Sequence, residues 1–119
     1  MRTVSKETQD ISIASLESTL HKLSKAADSV MRKSGNTQVI AKRRDAIQIG
    51  LESLTGMWRN ETFSYGEETL IYAKEVLQEI LASVEKHVMK AKEGSAQKTL
   101  NERRYLALSL AIASLEERL

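Results

Sequence analysis

The sequence predicts an all-α fold: an antiparallel, up-down-up-down four-helix bundle built from two helical hairpins. Three observations lead there. Proline is absent from all 119 residues; because proline breaks helix interiors and marks many loops and strand edges, its absence favours long helices with short connections. Aromatic residues make up only 4% of the chain and β-branched residues are scattered, which argues against a sheet. Apolar residues recur at spacings of three and four in four stretches separated by small polar residues, the pattern of helices with one buried face.

The first helix is expected from about Ser5 to Lys33, with Ile13, Leu16, Leu20, Leu23, Ala27 and Val30 on one stripe. Ser34-Gly35-Asn36-Thr37 supplies a stop and a restart: Gly35 suits a left-handed cap, and Asn36 or Thr37 can accept from the next helix's free N–H groups. The second helix runs to about Trp58, with Val39, Ile47, Leu51, Leu54 and Trp58 inward; Gly56 and the polar run Arg59-Asn60-Glu61-Thr62 end it. Ser64-Tyr65-Gly66-Glu67 has capping-box spacing. The third helix follows to about Glu93 and carries Leu70, Ala73, Leu77, Ile80, Leu81, Val84 and Val88. Gly94-Ser95 repeats the stop and restart. The fourth helix then reaches the C-terminus through Leu100, Leu108, Ile112, Leu115 and Leu119, with Thr99 and Glu102 as an alternative cap. The expected organisation is one domain, 1–119, made of hairpins 5–58 and 64–119.

Shifting the chain by 61 residues pairs segment 7–58 with 68–119, with ten identities in 52 pairs, among them Leu16/Leu77, Arg43/Arg104, Ala46/Ala107, Ser53/Ser114 and Leu54/Leu115. Any two amphipathic hairpins of equal length would show part of this. The pairing leaves a duplication open, but in either case both hairpins turn in the same register.

Charge is the sharpest functional signal. Taking 22–46 with 83–107 as one end of the bundle gathers thirteen cations against five anions, a balance of +8, while the remainder balances at −6. Arg32, Lys33, Lys42, Arg43, Arg44, Lys90, Lys92, Lys98, Arg103 and Arg104 are the candidate binding residues. Helix dipoles account for cations late in the first and third helices, but not for Lys42, Arg43 and Arg44, which fall early in a helix. A solvated face of the kind any soluble helix needs, an acidic protein partner or a nucleic-acid backbone would each account for such a surface. Against nucleic acid, the patch has only Tyr105 to stack on a base, and no helix-turn-helix or zinc pattern is present.

Other chemistry is sparse. With no cysteine, thiolate metal sites and cysteine nucleophiles are excluded. Neither histidine has the glutamate three residues earlier that di-iron bundles use, since Ser18 and Val84 stand there. No metal, cofactor or catalytic residue is expected, and Glu67-Glu68 and Glu116-Glu117 read as solvated helix ends. The N-terminus lacks an apolar signal core and no window resembles a membrane span, so a small cytoplasmic protein of bacterial or phage type is the expectation. Asn60-Glu61-Thr62 matches the glycosylation sequon, which such a location leaves unused.

Three features remain. Trp58, Phe63, Tyr65 and Tyr72 fall within fifteen residues at the acidic end, where they either plug the bundle or form a recognition site. Ile49, Met57, Leu106 and Leu110 lie off the main stripes and either widen the core or form a homodimer face. Finally, Leu20-His21-Lys22-Leu23-Ser24-Lys25-Ala26-Ala27 resembles the phosphoryl-accepting helix of histidine phosphotransfer domains, which are four-helix proteins of this size. The resemblance implies His21 as acceptor, but covers eight residues: Ser24 stands where that family has its lysine, and Lys25 where it has glycine. The leading expectation is a non-enzymatic helical interaction protein, an adaptor, inhibitor or regulator. Nucleic-acid binding is the second reading and phosphotransfer the third.

Overall fold

The computed structural model describes residues 3–33 and 35–119, so Ser34, placed in the first turn by the sequence, lies outside the described residues. The chain is a four-helix bundle: α1 (Lys6–Arg32), α2 (Gln38–Arg59), α3 (Glu67–Lys90) and α4 (Ala96–Arg118), with no strand among the described residues.

Local chemistry sets the helix starts. The Ser5 hydroxyl accepts from the Thr8 N–H at 3.1 Å, and Ser95 does the same for Lys98 at 3.1 Å. Asn36 accepts from the Gln38 N–H at 2.9 Å, so the restart before α2 uses the expected side chain. Two expectations fail. Left-handed backbone occurs at Asn60 (φ 54°) and Gly94 (φ 78°), not at Gly35, whose N–H instead closes the end of α1 on the Val30 carbonyl at 2.9 Å. The capping box at Ser64 does not form: α3 begins after Gly66 in extended conformation without a side-chain cap. Glu67 and Glu68 in its first turn complement the free N–H groups there. Ser95→Ala is therefore expected to lower stability by about 0.5–2 kcal/mol, whereas Ser64→Ala stays within about 0.5 kcal/mol of the parent. Urea midpoints of the two variants check this; equal losses would contradict the cap assignment.

The two hairpins lie across each other. A helix of 27 residues such as α1 is about 40 Å long, and four helices set side by side about 10 Å apart would measure roughly 20 Å in both other directions. The molecule measures 42 × 39 × 20 Å, the shape of two hairpin layers laid crosswise. Side-chain contacts agree. Lys42, in the second turn of α2, reaches 5.5 Å from the Tyr72 ring centroid, in the second turn of α3; full-length antiparallel neighbours would place those turns at opposite ends. Every helix pair packs except α1 with α3, whose Cα atoms nowhere come within 8 Å.

The crossing point is the contact of α2 with α4, and it is in register with the 61-residue pairing. Ser53 and Ser114 hydroxyls meet at 2.8 Å, fully buried. One turn earlier, a Cβ placed on Gly50 would lie 3.1 Å from the Ala111 Cβ, so glycine is what lets the helices approach. Pairs 50/111 and 53/114 both differ by 61, which makes the repeat a pseudo-twofold relation in the packing. Around it sit Leu16, Ile47, Leu54, Leu77, Ala107, Leu108 and Leu115, all buried. Ile49 and Leu110 are buried too, so these off-stripe residues widen the core.

Crossing limits the overlap of the hairpins, and burial falls off toward their tips. Val39 and Leu100, expected inward, are 63% and 36% exposed. Val39 starts α2 on the α1–α2 arm, whereas Leu100 is only partly covered, lining a shallow pocket with Ile11, Ala14 and Ser18 of α1.

Candidate functional site

The candidate cations are distributed over both hairpins. Arg32, Lys33 and Arg43 are exposed on the α1–α2 arm; Lys90, Lys92 and Arg103 are exposed on the α3–α4 arm. Several are already engaged. Lys42 covers Tyr72, Arg44 Nε lies 3.9 Å from Asp45, and Lys98 Nζ bonds Glu93 at 2.7 Å. That hydrogen bond raises the Lys98 pKa. His21 is exposed on α1.

What the structure does assemble is a groove on the open side of the crossing, where α1 and α3 stand apart. Its walls are Leu16, Leu23 and Ala26 from α1 and Ile80 and Val84 from α3, and Leu108 of α4 forms part of the lining. Its volume is about 330 Å³. Lys22 and Arg104 also line it, and no lining residue is acidic. Thr19 turns its hydroxyl to the Ser15 carbonyl at 3.0 Å, but the Ser15 hydroxyl, 9% exposed as a residue and part of the same lining, has no hydrogen-bond partner among the described residues. Of the ten candidate residues only Arg104 belongs to this groove. Lys22, Leu23 and Val84 were legible as a charge and as core positions; that they share a cavity follows from the separation of α1 and α3.

The arms expose apolar side chains: Met31 at 66% and Val39 on one, Met89 at 77% on the other. Met31 lines a notch with Asp28 and Arg32. Met89 lines one with Val88, Tyr105, Glu85 and Glu102.

At the opposite, acidic end Trp58 and Phe63 form a plug, whereas Tyr72 is exposed beneath Lys42. Phe63 and Trp58 pack against the core, and the Phe63 and Tyr65 rings stack tilted with centroids 5.2 Å apart. The Arg118 guanidinium covers the other ring contact, 3.9 Å from the Phe63 centroid. Gly56 leaves the room: a Cβ there would stand 3.0 Å from the Arg118 NH2 nitrogen. Burial lowers the Arg118 pKa. Tyr65 donates its phenol proton to Glu52. That bond, then burial, then the charges of Glu52 and Asp45 raise the Tyr65 pKa above its ordinary value near 10. Stability from a raised pKa is complete below the unfolded value and is lost as pH rises through the folded one. Melting temperature is therefore expected to fall above about pH 10 and to fall less steeply in Tyr65→Phe, which should be the less stable protein at pH 8. Parallel curves for the two proteins would show that this bond contributes nothing.

Among the described residues, no three His, Cys, Asp or Glu side chains come together as a metal site, and no helix is long and apolar enough to cross a membrane. Compared with family models, curated proteins and solved structures, the chain matches none. Its function is therefore argued from its own geometry.

Proposed function

We propose that this protein is a non-enzymatic helical interaction module, an adaptor, inhibitor or regulator, that binds a protein partner through its basic arms. The observation that carries this reading is the exposure of Met31, Val39 and Met89 on helices that also carry exposed cations such as Arg32, Arg43 and Lys90. A phosphate backbone is recognised by charge and hydrogen bonds and gains nothing from exposed methionine. A protein surface uses both: apolar anchors supply the desolvated centre and arginines and lysines the rim. Methionine also adapts to irregular partners.

The test is affinity capture from the cells that make the protein, with and without nuclease, using the parent and Met31→Glu/Met89→Glu. Both positions are exposed, so the variant should retain the parent's circular dichroism and melting temperature. A protein captured by the parent despite nuclease, and lost by the variant, is the expected result. Capture abolished by nuclease, together with affinity that falls steeply with salt and is lost on reversing Arg43, Arg44, Arg103 and Arg104, would replace it with nucleic-acid binding.

A further inference from the structure

We infer that the groove between α1 and α3 seats an acidic amphipathic helix of a protein partner. The inference rests on the protein-binding reading above but concerns a different surface. Leu16, Leu23 and Ala26 fall on one stripe of α1, and Ile80 and Val84 are one turn apart on α3. Leu16 and Ile80 are buried at the groove floor, and the half-buried Leu23, Ala26 and Val84 leave apolar surface open between the two helices. The Cα atoms of α1 and α3 stay more than 8 Å apart throughout. A volume of about 330 Å³ is at the small end for a ligand pocket, roughly 300–1,000 Å³, and suits the side chains of one helix face.

Charge complementarity selects the occupant. Lys22 and Arg104 line the groove, no carboxylate does, and neither has a salt-bridge partner among the described residues. Leucine or isoleucine at i, i+3, i+4 and i+7, the anchor spacing of a helix laid in a groove, would meet the apolar walls. Glutamate or aspartate flanking that stripe would meet Lys22 and Arg104. Nucleic acid is disfavoured because the walls offer no aromatic face and mostly apolar contact.

The experiment uses the full chain and three synthetic peptides. One is a 15-residue helix with leucine at i, i+3, i+4 and i+7 and flanking glutamates; the second replaces each glutamate by lysine; the third is a scramble of the first. Binding is read by fluorescence anisotropy, and the bound surface by amide chemical-shift changes. The parent should bind the glutamate peptide at least tenfold more tightly than the other two, with shifts at Leu23, Val84 and Leu108. Lys22→Glu/Arg104→Glu should reverse the preference toward the lysine peptide, an outcome that unfolding cannot produce. Equal binding of all three peptides, shifts confined to the tips, or an unchanged preference in the reversed variant would overturn the inference. If no peptide binds while nuclease-resistant, Met31- and Met89-dependent capture persists, the groove inference fails and the protein-binding reading stands. If the peptides bind and capture does not depend on the methionines, the arm surface is the part that fails.

Discussion

Gly50→Leu and Leu77→Ala will each destabilise the protein, and together they will cost less than their sum. Leu77 is fully buried, and truncating such a leucine to alanine costs about 2–5 kcal/mol through lost transfer energy and a residual cavity. The Gly50 backbone faces that same side chain: a Cβ at position 50 would sit 3.1 Å from the Leu77 Cδ1 as well as from the Ala111 Cβ. A whole leucine there overfills the crossing and costs about 1–3 kcal/mol, despite a helix-propensity gain of about 0.8–1 kcal/mol over glycine. In the double variant the new leucine has the space vacated by Leu77. The coupling should reach about 1 kcal/mol or more, within the 0.5–3 kcal/mol range of contacting pairs. Urea denaturation of the four proteins gives it directly. Additivity, or a neutral Gly50→Leu, would mean that α2 and α4 do not close on Gly50.

The second large effect is expected at Arg118, one residue from the C-terminal position. Its Nε donates to the Ser53 hydroxyl at 2.8 Å and its NH2 nitrogen to the Ser53 carbonyl at 2.9 Å. Ser114 donates to the Ala111 carbonyl at 2.7 Å. A hydroxyl has one proton, so Ser114 must accept from Ser53 across the 2.8 Å contact. The chain of donors thus runs one way, from Arg118 to Ser53 to Ser114 to the α4 backbone. Ser53→Ala interrupts it twice, leaving the Arg118 N–H without that acceptor and Ser114 without its donor, and should cost about 1–3 kcal/mol. Arg118→Ala should cost a similar amount, since it also removes the cation over Phe63. Residue 57, the counterpart of 118 in the 61-residue pairing, is methionine. Ser53→Ala/Arg118→Met therefore removes both partners and fills the site with an apolar stem, and it should be less destabilised than the two single changes combined. Independent effects would show that the chain is not cooperative. Arg118→Lys is expected to fail as a replacement, because an ammonium cannot offer two parallel N–H bonds and a flat face to Phe63.

Both effects concern the crossing of the hairpins, and the signal for it was present in the chain. Ala46, Gly50 and Ser53 in α2, and Ala107, Ala111 and Ser114 in α4, are small residues at i, i+4 and i+7. Such stripes permit close helix approach. Reading helices by their large apolar residues passes over them. The 61-residue pairing had already aligned these positions, and the Ser53–Ser114 hydrogen bond shows what the alignment means physically. The same large-residue reading placed Val39 and Leu100 in the core, because a stripe identifies a face without saying how far along the helix a neighbour covers it.

The sequence by itself determined the four helices, their order, most of the buried face of each, and the absence of thiol chemistry. These follow from local conformational preference and from the period of burial, which act over a few residues. The tertiary structure alone decided the angle between the hairpins. That angle is set by how side chains of different sizes interlock between elements far apart in the chain. With it went the groove in which Lys22 of α1 and Arg104 of α4 meet an apolar wall. The groove is open because Gly50 and Ala111 draw α2 and α4 together and leave α1 and α3 apart.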